Sequence, residues 1–191
     1  MDSALLTGLG LAAPAGLNAY LPLLILALAG RFSDAITLDR PFDVISTPWG
    51  IAVITLLLTV EIVVDKIPGL DHANDLIQSI VRPASGAVLT MASTADSGSI
   101  NPVVALVLGL LLAGSVHAVK ATSRPMVTLT TGGLGNPLVS TAEDGIAAVT
   151  AVTAIFVPIV AILLILLFGL LVLWGIRAGR RRLARTSQSS A

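Results

Sequence analysis

From Gly145 to Ile176 the chain carries no charged residue. A straight helix over that stretch would be about 48 Å long, more than the roughly 30 Å of hydrocarbon in a bilayer. Such a run fits a membrane span that tilts, protrudes or bends, and Pro158 is the place to bend. The rest of the sequence is of the same kind. Of its 191 residues, 55% are hydrophobic and 12% charged. A soluble domain carries about 25% charged residues, so there is too little charge to cover a water-facing surface. The formal net charge is zero, but Arg177, Arg180, Arg181, Arg182 and Arg185 gather beside the last apolar run. That pattern marks a cytoplasmic membrane face rather than a nucleic-acid site. With no cysteine, disulfides and thiolate chemistry are excluded.

The expected fold class is all-α: a polytopic transmembrane helical bundle over residues 1–176, followed by a basic cytoplasmic tail, 177–191. Segment one runs from about Ala4 to Ala29. Its start carries Asp2 rather than a basic stretch, so it reads as a retained span and not as a secretory signal. Gly8, Ala12 and Gly16 share one helical face, where small residues let another helix approach. Pro14, Gly16, Asn18 and Pro22 predict a kinked or broken helix, and a broken one can line a substrate cavity. Residues 30–48 read as a loop ending in Thr47-Pro48, an N-cap with proline at the first helical position. Segment two then runs from Trp49, placed for an interfacial belt, to about Ile67.

Beyond Pro68-Gly69, Asp71 is expected to cap a short helix that Pro83 stops near Val81. Residues 84–92 are too few to cross and read as a re-entrant piece, or 76–92 as a short fifth span. Asn101-Pro102 opens segment three, to about Val119, and residues 120–139 read as irregular. Ser140 to Glu143 fits a capping box for the last helix, whose dipole Glu143 and Asp144 would complement. Four spans put both termini, Lys66 and Arg82 in the cytoplasm, and that is the expected topology; five would put the N-terminus outside. In the four-span form residues 61–75 lie on the inner side and 117–136 on the outer side.

Two polar clusters carry the chemistry. Glu61 and Asp65 share a helical face, as do Asp71 and Asp75. A Pro-Gly bend between them would gather carboxylates and Asn74 as oxygen ligands for a hard cation, with His72 as nitrogen ligand or proton relay. Against this, Asp65 and Lys66 sit at a helix end where exposure is cheap, while Glu61 alone lies deep in an apolar run. In the second cluster His117 and Lys120 share a face, Arg124 follows, and a glycine-rich stretch runs to Asn136. These cations fit either an anion site or internal pairing with Glu61, Asp65, Glu143 or Asp144, and pairing is the commoner fate of intramembrane charge. With Asn18 at the first break, these are the candidate binding residues. The sequence carries no nucleophile motif and no His-Glu-x-x-His metal signature.

Residues 16–23 (Gly-Leu-Asn-Ala-Tyr-Leu-Pro-Leu), residues 65–71 (Asp-Lys-Ile-Pro-Gly-Leu-Asp) and the stretch from His117 to Pro125 together resemble the bacterial integral membrane family known as domain of unknown function 4126. The resemblance covers about residues 5–170. It implies a small, multi-pass bacterial inner-membrane protein and no activity. The expected function is a transporter or channel for an ion or small solute, working through its polar helix breaks. So short a chain would do this as a homo-oligomer among membrane lipids. The alternatives are an intramembrane enzyme using Asp71, His72 and Glu61, or an assembly subunit whose charges serve only helix pairing.

Overall fold

The computed structural model describes residues 3–65, 67, 70–98, 100–167, 169–171, 174 and 177, with the side chains of 70–73 and 75 outside that description. Among the described residues there are helices and no strand. They are α1 (Ser3–Ala15), α2 (Tyr20–Phe32), α3 (Pro48–Val64), α4 (Leu70–Thr94), α5 (Pro102–Thr131) and α6 (Asn136–Phe156), with a short 3-10 turn at Phe42–Ser46. Helical residues 158–167 follow a break at Val157. By length and composition α5 and α6 are long and apolar enough to cross a membrane.

The first apolar segment is broken, as its prolines and glycine predict, but it also doubles back. Ser3 and Thr7 line one cleft with Asp34, Ser93 and Asp96, while Ala19 lies against Glu61 at the far end of α3. So α1 and α2 form a hairpin of two 13-residue helices, each about 20 Å long. Gly8 sits against Thr90 of α4, and Gly16 against Ala113 and Val116 of α5. The small-residue face therefore brings α1 onto the central helix pair.

That pair, α4 and α5, runs antiparallel. Gly86 meets Gly109, Pro83 faces Gly114, and Ser79 reaches His117. Two expectations fail here. Pro83 does not end a helix, so 84–92 is not a separate re-entrant piece. It is the second half of α4, carrying buried Ala87, Leu89, Thr90 and Ala92. Residues 120–139 are likewise not irregular: α5 passes through Pro125 to Thr131. A proline removes one donor, yet between packed helices the chain has no better partner for its remaining backbone groups than the helix. The hydroxyls that made 120–131 look loop-like are absorbed by the helix itself. Thr122, Thr128, Thr130 and Thr131 donate to the carbonyls of Ala118, Arg124, Met126 and Val127.

The real stop is the glycine turn. Gly132 and Gly133 take φ of 61° and 86°, in the left-handed region that favours glycine. Two caps stand as predicted: Thr47 accepts from Gly50 N at 3.0 Å and Asn101 from Val103 N at 2.9 Å. The box at Ser140 does not form, because α6 has already begun at Asn136 with Pro137 in its first turn. Glu143 and Asp144 are thus interior residues of α6, free to reach sideways. The long uncharged run is not one bent helix: it breaks at Val157-Pro158. Residues 164–171 then return beside Leu17 and residues 142–150.

Candidate functional site

The break between α1 and α2 exposes backbone groups at two helix ends, and side chains from α3, α4 and α5 satisfy them. At the start of α2, Glu61 accepts from the Ala19 N–H at 3.1 Å and the Tyr20 N–H at 3.4 Å. Asn18 Oδ1 accepts from Tyr20 and Leu21 at 3.2 and 2.9 Å. The next residue, Pro22, has no N–H to satisfy. At the end of α1, the Leu17 carbonyl accepts from Lys120 Nζ at 2.7 Å, and the Ala19 carbonyl accepts from Ser85 Oγ at 2.7 Å. An anion therefore faces a helix N-terminus and a cation a helix C-terminus, the favourable sign at each.

These two charges belong to one buried network. Arg82, with 0% exposure, donates to Glu61 Oε1 through Nε at 3.4 Å and Nη2 at 3.2 Å. The same Nη2 lies 3.5 Å from Asp65 Oδ2. Lys120 Nζ stands 3.1 Å from Asp65 and 3.1 Å from Glu143. Arg124 pairs with Glu143 at 2.7 Å and approaches Asp65 at 4.0 Å. Asn18 donates to Asp144 at 2.9 Å and Asn74 to Asp65 at 2.7 Å. Three cations thus meet the carboxylates of Glu61, Asp65 and Glu143 where water is excluded. There the Coulomb gain must offset desolvation, and each partner lost is expensive.

His117 closes one side. Its Nδ1 lies 3.0 Å from Arg82 Nη1 and its Nε2 3.2 Å from Ser79 Oγ. A guanidinium can only donate, so Nδ1 accepts, and the imidazole carries its proton on Nε2, toward Ser79.

The two sequence clusters therefore meet rather than lying on opposite sides. Asn18, Glu61, Asp65, Asn74, His117, Lys120 and Arg124 all join the network. Asn136 is buried at the start of α6 and pairs with Thr128 at 3.0 Å. The side chains of Asp71, His72 and Asp75 lie outside the described residues, as do Lys66 and the tail from 178 onward. Asp65 and Glu61 turn their oxygens to donors. Among the described residues no group of three or more metal-ligating side chains is assembled.

Arg82, an inner-face charge by the sequence pattern, is the most enclosed member of the network. Its signal was the one that singled out Glu61: a lone charge with apolar neighbours on both sides. Glu143 and Asp144 were read mainly as dipole partners, and their role here needed the true start of α6.

Exposed apolar side chains flank this charged layer on both sides along the bundle. Leu56, Val60 and Leu111 lie on one side, Leu76, Met126 and Leu129 on the other. Next to it, a groove of about 510 Å³ runs between α1, α6 and residues 164–171, and no charged residue lines it.

The chain matches the family described as Domain of unknown function (DUF4126) over residues 5–178. It belongs to that family. The three stretches that carried the resemblance supply nine residues of this site: Leu17, Asn18, Ala19, Tyr20, Leu21, Asp65, His117, Lys120 and Arg124. No curated protein and no solved structure matches the chain.

Proposed function

We propose that this member of the DUF4126 family is a multi-pass bacterial inner-membrane protein that moves an ion or small solute through the broken α1–α2 hairpin. The observation that carries the reading is the buried network of Glu61, Asp65, Arg82, Lys120, Arg124 and Glu143, gathered at that break between two bands of exposed apolar side chains. Ionisable groups at membrane depth, facing a bundle interior and a discontinuous helix, are the usual makings of a solute or ion pathway. The outward hydroxyls support a lipid setting. Thr55, Thr59, Ser115 and Thr153 each donate to the carbonyl one turn back, and so need no water.

With the arginine tail cytoplasmic, the end of the bundle holding the network faces inward. Helices α3 to α6 and the stretch from 158 then cross, and the α1–α2 hairpin dips in from the outer side. The bundle is short of helices to enclose a wide path, so we read the working form as a homo-oligomer in lipid. Purified protein in liposomes, tested against gradients of potassium, protons, chloride, formate and acetate, is expected to move at least one. Lys120→Met is expected to abolish that flux while leaving the protein helical. Absence of flux for the whole panel would sink the reading.

One observation favours an assembly subunit instead: Glu61, Asp65 and Glu143 each already face a cation. On that reading Lys120→Met costs stability only, and cells lacking the protein are complemented by any variant that folds.

A further inference from the structure

We propose that the N–H groups of Ala19 and Tyr20 and the guanidinium of Arg82 form an anion subsite, that the Glu61 carboxylate is its resident occupant, and that the transported species is a small carboxylate or similarly sized oxyanion that displaces it. This rests on the transport reading above and names its substrate class.

Every group that meets Glu61 in this cradle is a donor: two backbone N–H groups and two nitrogens of one guanidinium. Nothing in it is particular to a side chain. A free carboxylate of the same size would meet the same bonds. The guanidinium's fork suits a planar oxyanion, and the helix N-terminus suits its charge.

The cradle is more than a helix end. Arg82, Lys120 and Arg124 are each at most 2% exposed, and together they make a positive wall that three carboxylates now balance. An incoming anion that brings a proton keeps that balance: the proton passes to the displaced Glu61 carboxylate, and the anion takes its place. The groups facing Glu61 through this exchange are Arg82, Asp65 and Lys120, with His117 behind Arg82.

Two buried polar atoms lie on helices that enter the network. Ser140 Oγ and Gln78 Oε1 have no hydrogen-bond partner among the described residues, although the residues are 0% and 3% exposed. Ser140 lies one turn before Asp144 on α6, and Gln78 one turn before Arg82 on α4. Both therefore share the helix faces that enter the network. Unsatisfied buried groups are rare in folded proteins, and they mark places where a further ligand or water is accommodated.

Chemical rescue tests the assignment. Glu61→Ala empties the cradle without closing it. In detergent, sodium formate is expected to raise the unfolding midpoint of Glu61→Ala by about 3–5 °C over sodium gluconate at equal ionic strength. Wild type is expected to show no such difference. Equal midpoints in formate and gluconate overturn the proposal. If Glu61→Ala cannot be recovered folded even with formate throughout, wild-type liposomes decide: formate uptake about tenfold above gluconate supports the subsite, and equal uptake overturns it. Rescue in a protein that moves only potassium or protons keeps the subsite and removes the anion as substrate. Flux without rescue leaves transport standing and ends this assignment.

Discussion

Replacing Arg82 with methionine is the sharpest perturbation of this fold. The guanidinium gives two contacts to Glu61, one to Asp65 and one to His117, at 3.0–3.5 Å, with its side chain 0% exposed. Asp65 keeps Lys120 at 3.1 Å and the Asn74 amide at 2.7 Å. Glu61 keeps only the N–H groups of Ala19 and Tyr20. It is therefore the group left with a buried, under-compensated charge. Breaking such a pair costs about 3–5 kcal/mol, and the two surviving N–H bonds put the expected loss near the lower end. About 3 kcal/mol is roughly a hundredfold in the unfolding equilibrium.

Glu61→Gln alone leaves Arg82 with Asp65 and is expected to cost about 2 kcal/mol. The double variant, Arg82→Met with Glu61→Gln, removes both charges. It should cost no more than Arg82→Met alone, a favourable coupling of about 2 kcal/mol. The assay is reversible unfolding in mixed micelles with increasing dodecyl sulfate, followed by circular dichroism. If the double variant's loss equals the sum of the single losses within about 0.5 kcal/mol, Arg82 and Glu61 do not act as a buried pair and the reasoning fails.

Helix contact gives a second check. A Cβ on Gly109 would collide with the Gly86 carbonyl oxygen and Thr90 Oγ1, whereas one on Gly114 would meet Pro83 Cγ at 3.6 Å. Gly109→Ala should thus cost about 1–3 kcal/mol and Gly114→Ala within about 0.5, measured in the same micelles. Thr47→Ala removes the cap on Gly50 N and should cost about 1 kcal/mol; an unchanged midpoint would show that water replaces the cap. Topology can be read by thiol labelling, since the chain has no cysteine. Asp34→Cys and Asp96→Cys, which line one cleft, should label from the same side of intact cells. Leu134→Cys, in the turn at the far end of α5, should label from the other; labelling of all three from one side would contradict the bundle's arrangement in a bilayer.

Local signals in the sequence were sufficient wherever a local interaction decides the outcome. Thr47-Pro48 and Asn101-Pro102 start helices because the cap and its N–H lie two or three residues apart. The first segment breaks because Pro14, Gly16 and Pro22 act on their own turns, and the last run breaks at Pro158 for the same reason. The preference of charges in apolar surroundings for one another foretold that Lys120 and Arg124 would be paired, though not with which partner. Pro83 and Pro125 could not be judged locally. A proline ends a helix when water or a turn offers the freed groups something better, and here α4 and α5 pack on each other with no such offer. Nor could sequence spacing show that the first segment reverses, or that its tip lands on Glu61. That contact joins residues 42 apart, and Lys120 reaches Leu17 across 103. Only close packing at Gly8, Gly16, Gly86 and Gly109 brings the two halves near enough for those charges to meet. The sequence by itself thus determined where helices start and break; the tertiary structure decided which charged residues satisfy one another, because pairing energies depend on ångströms and not on order along the chain.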